Sequence, residues 1–325
     1  MTAQASLSRR GFFAAAGAAS LALAARPHSA AAAAPKLGPD KPAHYRFALG
    51  EFEVTTLSDG ARAFEGPHPI FGADQTPETV AALLEQNFLP TTQFVNGFTP
   101  TIVNTGAELI LFDTGLGEGS RQGGLGHLLA RLAAAGIEPA QVDLVVITHF
   151  HPDHIGGLME AGAPAFPNAR YVTGAAEYDF WTRPERLSGP TERVAQIVEA
   201  NVKPIAEKTS FIEPGASIAP GITAVAAFGH TPGHLGFHLE SAGRRLMLAA
   251  DTCNHYVASL QRPDWHVSFD VDKEKAAAAR QEILGMIAAD RIPFVGYHMP
   301  FPSVGFLEPL DQGFRYVPAS YQLDL

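Results

Sequence analysis

The sequence predicts an α/β (α+β) domain made of two packed β-sheets flanked by helices. Three observations carry that expectation. Short apolar segments with strand character, punctuated by glycine, recur in both halves of the chain. Within each half the strands come first and amphipathic helices follow. No Pro/Gly/Ser-rich linker separates the halves, so one domain over residues 35–325 is expected rather than two.

The first 34 residues stand apart from that domain. Ser8-Arg9-Arg10-Gly11-Phe12-Phe13 leads into an Ala-rich run from Ala14 to Ala25, then a small-residue stretch from Ser29 to Ala34. Paired arginines before a weak apolar core resemble a twin-arginine export signal, which predicts a periplasmic or secreted mature protein. The apolar run is shorter than the roughly 20 residues of a membrane span, so no stable membrane insertion is expected.

Beyond it, the partial alternation of Phe52, Val54, Thr56 and Leu57 reads as a strand, with Asp59-Gly60 as a turn. Thr101 to Asn104 and Leu109 to Phe112 read as a hairpin, with helices near Thr76 to Gln86 and Leu125 to Ala135. The unbroken apolar run Val142 to Thr148 is a buried strand. Val194, Ile197, Val198 and Val202 share one face of a helix over Thr191 to Val202. Strands are expected at Thr223 to Ala227, Gly236 to Glu240 and Arg245 to Ala250, then a charged helix from Asp272 to Ala289 and a last strand, Phe294 to Tyr297.

Charge and composition narrow the function. With 46% hydrophobic residues the chain is neither disordered nor fibrous. A net charge of −10 without a dense basic run excludes a reader of nucleic-acid backbones. A single cysteine, Cys253, rules out an intramolecular disulfide, and 13 histidines direct attention to metal chemistry.

The histidines cluster at strand ends. Thr148-His149-Phe150-His151-Pro152-Asp153-His154 follows the strand Val142 to Ile147. In extended backbone His149 and His151 share a face and reach one point, and a turn at Pro152 aims Asp153 and His154 at a second point. Imidazole and carboxylate are ligands that a borderline-soft divalent ion prefers. A hydrogen-bonded polar loop is the bland alternative, but packing alone rarely needs four such residues in six. Gly229-His230-Thr231-Pro232-Gly233-His234, Asp251 and His298 stand at three later strand ends. Each alone reads as a structural polar residue; their recurrence favours a site.

Together with Asp113 in Leu111-Phe112-Asp113-Thr114-Gly115, this ordered series resembles the motif series of the metallo-β-lactamase superfamily. Within that superfamily the chain is similar to methyl parathion hydrolase and related lactonases. Tyr45-Arg46, Leu49-Gly50-Glu51-Phe52-Glu53, Ala165-Phe166-Pro167-Asn168-Ala169, Asp179-Phe180-Trp181 and Gly313-Phe314-Arg315-Tyr316-Val317-Pro318 carry that narrower likeness.

The resemblance implies an αββα sandwich and two divalent ions, zinc by ligand type, although manganese, iron or cobalt accepts the same set. It implies His149, His151 and His234 on the first ion, Asp153, His154 and His298 on the second, and Asp251 bridging both as the catalytic carboxylate. Asp113 would orient a ligand, and His230 would play an orienting or structural part. Such a pair generates a hydroxide near neutral pH for attack on a lactone, another ester or a phosphotriester. Trp181, Asn254 and His255 are candidates to face that small-molecule substrate, with Trp265 either a second wall or core. Cys253 reads as a small buried thiol rather than a ligand. A β-lactamase and a non-catalytic metal- or partner-binding protein of the same fold are the alternatives, and a homodimer is compatible with either reading.

Overall fold

The computed structural model describes residues 42–321. The expected export signal at 1–34 therefore lies outside the described residues. In chain order the strands are β1 (His44–Leu49), β2 (Phe52–Leu57), β3 (Gly60–Glu65), β4 (Gln93–Phe98), β5 (Thr101–Asn104), β6 (Leu109–Phe112), β7 (Leu144–Ile147), β8 (Met159–Glu160), β9 (Ala163–Pro164), β10 (Arg170–Gly174) and β11 (Thr209–Ile212). They continue with β12 (Ser217–Ala219), β13 (Ile222–Ala226), β14 (Leu235–Ser241), β15 (Arg244–Ala250), β16 (Phe294–Gly296), β17 (Val304–Pro309) and β18 (Phe314–Pro318).

Two seven-stranded sheets result, ordered β1-β2-β5-β6-β7-β10-β11 and β12-β13-β14-β15-β16-β17-β18. In the first, β6, β7, β10 and β11 run parallel; in the second, β15 and β16 are the parallel pair. Parallel strands need covered faces on both sides, which is why β7 is apolar at every position. Leu144 and Val146 face the opposite sheet, packing with Ile110, Phe112, Phe237, Leu246 and Leu248. Val145 and Ile147 face outward against Leu128, Leu132, Val198 and Val202 of the covering helices. On the far side, Met247, Ala249 and Phe294 pack against Ile283, Leu284 and Ile287 of the helix Lys273–Asp290. This is the expected αββα layering.

Helix boundaries follow their caps. Thr76 accepts the Thr79 N–H and Asp272 accepts the Lys275 N–H, so the helices Pro77–Gln86 and Lys273–Asp290 each begin one residue after the expected start. The helix expected from Leu125 starts only at Leu128, because Asp59 takes its leading amides. The Asp59 carboxylate accepts N–H bonds from Leu128 at 2.8 Å, Leu116 at 3.0 Å and Gly126 at 3.2 Å. Asp59 thus does more than turn the chain: it is fully buried and ties three loops beneath the site. The antiparallel pair β3–β4, separate from both sheets, was not anticipated, since its partners are parted by a long segment containing a helix.

Candidate metal centre

The chemistry-bearing residues converge at the strand ends of both sheets. The first sheet contributes Asp113 after β6 and His149 to His154 after β7; the second contributes His230 and His234 between β13 and β14, Asp251 after β15 and His298 after β16. Pro152 starts a one-turn helix, Pro152–Ile155, that swings Asp153 and His154 away from the line of His149 and His151.

Two clusters form. Ligand atoms of His149, His151, His230 and Asp251 lie within 4.8 Å of one another, and so do those of Asp153, His154, Asp251 and His298. Asp251 belongs to both. Its Oδ2 stands 3.2 Å from His230 Nε2, 3.1 Å from His298 Nε2 and 3.9 Å from His149 Nε2, and its Oδ1 stands 3.3 Å from His154 Nε2. Most of these side chains are buried; His151 and Asp153 are partly buried and are the members nearest solvent.

The backs of three imidazoles, His154, His298 and His230, are held by acceptors, which turns their other nitrogens inward. His154 Nδ1 donates to Asp113 Oδ2 at 2.8 Å, and Asp113 is itself held by the Thr148 N–H and hydroxyl at 2.8 and 2.9 Å. His298 Nδ1 donates to the Gly97 carbonyl at 2.8 Å. His230 Nδ1 donates to Asp270 Oδ1 at 2.8 Å, and Asp270 is paired to Arg280 at 2.9 Å. Sequence reasoning missed Asp270 and Arg280, because nothing local marks a lone acid 40 residues beyond its histidine.

The structure exchanges the expected parts of His230 and His234. His230, read from the sequence as structural, stands in the first cluster, whereas His234 does not. Both nitrogens of His234 are engaged by backbone: Nδ1 donates to the Ala227 carbonyl at 2.9 Å and Nε2 accepts the Asp251 N–H at 3.2 Å. His234 therefore buttresses the turn that carries Asp251.

Electrostatics divide the histidines into two groups. Burial pushes His151 and His234 down to about 3 and His149 well below the imidazole range, leaving neutral rings. Burial would also lower His230, but the carboxylates of Asp251 and Asp270 raise it to about 9. Against burial, His154 is held well above its ordinary value by Asp251, Asp113 and Asp153. The Cys253 thiol is pushed up to about 12 by burial and sits in the core, as a small buried thiol should.

Three buried atoms that face one another here have no hydrogen-bond partner: His154 Nε2, His230 Nε2 and Asp251 Oδ1. Leaving each unmade costs about 1–3 kcal/mol. An imidazole and carboxylate set with its lone pairs turned inward fits divalent ions, which would satisfy all three.

The candidate substrate residues sit less openly than expected. Trp181 is a core residue whose Nε1 donates to Glu177 at 2.8 Å; its ring centroid lies 6.3 Å from that of His151. Asn254 Nδ2 donates to Asp251 Oδ2 at 2.9 Å, and its buried Oδ1 has no partner. His255 Nδ1 accepts the N–H groups of Val257 and Ala258 at 3.1 and 3.0 Å, with its ring among Phe71 and Phe94. Trp265 packs with Val80 and Leu84 in core.

Known proteins share this fold. The metallo-beta-lactamase superfamily model matches residues 99–293. The dizinc quorum-quenching lactonase AidC, solved with a product N-hexnoyl-L-homoserine, is 29% identical with a TM-score of 0.77, covering 86% of this chain and 98% of that one. The hydrolase AbOPH of the beta lactamase superfamily is 26% identical with a TM-score of 0.79, covering 87% of this chain and 99% of that one. The N-acyl homoserine lactonase AttM of Azorhizobium caulinodans is 36% identical over 61 residues, 19% of this chain and 21% of that protein, so the chain aligns with about a fifth of this curated relative's length.

Proposed function

The chain belongs to the metallo-β-lactamase superfamily, and on that premise we propose that it is a dinuclear metal-dependent hydrolase of lactones. The observation that carries the reading is Asp251, whose two oxygens reach two clusters of inward-turned ligands. The likeness over nearly the full length of a dizinc lactonase supports zinc and a lactone ring.

In this reading His149, His151 and His230 would hold one ion, Asp153, His154 and His298 would hold the other, and Asp251 would serve both. Paired divalent ions, when bound, lower the pKa of water from 15.7 to about 7 and polarise a carbonyl oxygen. The protein's own residues do the rest. Asp113, Asp270 and the Gly97 carbonyl fix the ligand rings, so the positions are set before substrate arrives. Asp251, the carboxylate common to both clusters, is placed to receive a proton and pass it to the leaving oxygen. Partly buried His151 and Asp153 mark the side from which substrate would approach.

Thr252, Asn254 and His255, which follow Asp251, would disfavour the apolar groups of a phosphotriester only as unpaired polar groups. Most of those groups are already partnered: the Thr252 hydroxyl by the Ala249 carbonyl, Asn254 Nδ2 by Asp251 and His255 Nδ1 by two amides. Asn254 Oδ1 is buried without a partner and keeps that character. A lactone preference consequently rests on the similarity to lactonases, and phosphotriester hydrolysis is the competing outcome of the same assay.

The test is metal analysis of the purified protein followed by kcat/KM on lactone, aryl ester and phosphotriester substrates. Two ions per chain with fastest turnover on lactones is expected. Asp251→Ala should reduce metal content to one ion or less and abolish turnover; retention of two ions and near-native rates would remove Asp251 from the mechanism.

A further inference from the structure

Arg280 is among the largest fully buried side chains, although it lies on a surface-covering helix and touches no member of either ligand cluster. Its guanidinium spends its donors on one region. Nε donates to the Thr252 carbonyl at 2.9 Å, Nη1 to the carbonyls of Pro263 and Trp265, both at 3.0 Å, and Nη2 to Asp270 Oδ2 at 2.9 Å. The other Asp270 oxygen takes the Nδ1–H of His230. One side chain thus grips the residue after Asp251 and, through one carboxylate, the ring of His230. Backbone bonds from Val271 to the His230 carbonyl at 3.0 Å and from Asp272 to the Gly229 carbonyl at 2.9 Å lock the same two segments together.

We propose that Arg280 is a positioning residue for the ion held by His149, His151 and His230: it fixes Asp270, which sets the His230 tautomer and ring, and it fixes the turn that presents Asp251. A purely structural role would be served by an apolar side chain of similar volume, since burying a cation is costly unless every donor is used. The planar fork is what allows a carboxylate and a chain of carbonyls to be held at once, which a lysine ammonium cannot reproduce. The inference rests on His230 being a ligand.

The test measures zinc affinity directly. Zinc-loaded wild type, Asp270→Asn and Arg280→Lys are equilibrated in chelator-buffered zinc, with bound metal counted per chain and the fold of the zinc-free proteins followed by thermal melting. Asp270→Asn keeps the side-chain volume and leaves the three carbonyl bonds of Arg280 in place, so it decides the matter even if Arg280→Lys fails to fold. In Asp270→Asn one of the two ions should bind about 10- to 100-fold more weakly, the range for losing a group that orients a ligand, while the other moves less; Arg280→Lys, which also loosens the turn of the shared Asp251, should weaken that ion at least as much and the other as well. Folded Asp270→Asn that holds both ions with wild-type affinity, or loses affinity equally for both, overturns the proposal. Wild type binding fewer than two ions would instead overturn the metal-centre reading itself.

Discussion

His230 and His234 show how much a single acceptor decides. They are four residues apart in a His-Thr-Pro-Gly-His turn, both buried, and the sequence offers no local ground for choosing between them. The choice is made by Asp270, which leaves His230 Nε2 free to face the cluster, and by the Asp251 amide, which occupies His234 Nε2. His230→Ala should therefore lose an ion and nearly all activity. His234→Gln should keep two ions and show only the stability cost of a buried hydrogen-bond change, about 1–3 kcal/mol. Metal counting and melting of the two variants separates the assignments, and the reverse pattern would restore His234 as the ligand. His149, His151, Asp153 and His154 were legible because they are contiguous and follow an obvious buried strand. Arg280, Asp270 and Glu177 were not, because the partners that give them meaning are distant in sequence.

Elements position the site through close backbone approach. Glu177, on the helix Ala175–Trp181 that follows β10, is fully buried and accepts from the Phe150 and Gly233 amides, the Thr231 hydroxyl and Trp181 Nε1 at 2.7 to 2.9 Å. It couples the His149–His151 loop to the His230–His234 loop. That coupling needs the chains in contact: a Cβ at Gly233 would lie 2.1 Å from the Glu177 amide nitrogen and 2.6 Å from its Cα. Gly233→Ala should push the His230 loop off the Glu177 helix, costing about 1–3 kcal/mol as overpacking does, and should weaken metal binding even though residue 233 is no ligand. Unchanged melting and zinc affinity would show that the two loops are not mechanically joined. The central strands of both sheets were legible from apolar runs; β10, β11 and the β3–β4 pair were not, being short or lacking a nearby partner.

At the scale of the molecule the ligands are divided between the two sheets, which meet otherwise through an apolar core. We propose that the arginine pair Arg9 and Arg10 directs export; replacing both with lysine should leave a longer precursor in the cytoplasm, and an unchanged periplasmic yield would reject the signal. Folding before export would matter for a chain whose candidate metal ligands come from both halves. His149, His151, Asp153 and His154 come from the first sheet, and His230, Asp251 and His298 from the second, so neither half alone offers a complete set for either ion. An ion that binds only the assembled sheets stabilises the fold by mass action, about 2.7 kcal/mol when free metal is 100 times its dissociation constant. With about 2–4 °C per kcal/mol for a domain approaching this size, exhaustive chelation should lower the melting temperature by about 5 °C or more. Asp251→Ala, lacking the shared carboxylate, should melt lower from the start and respond far less to chelator. Equal melting of the native protein with and without chelator would mean that the ions, if bound, do not hold the sheets together, and that the apolar core alone sets stability.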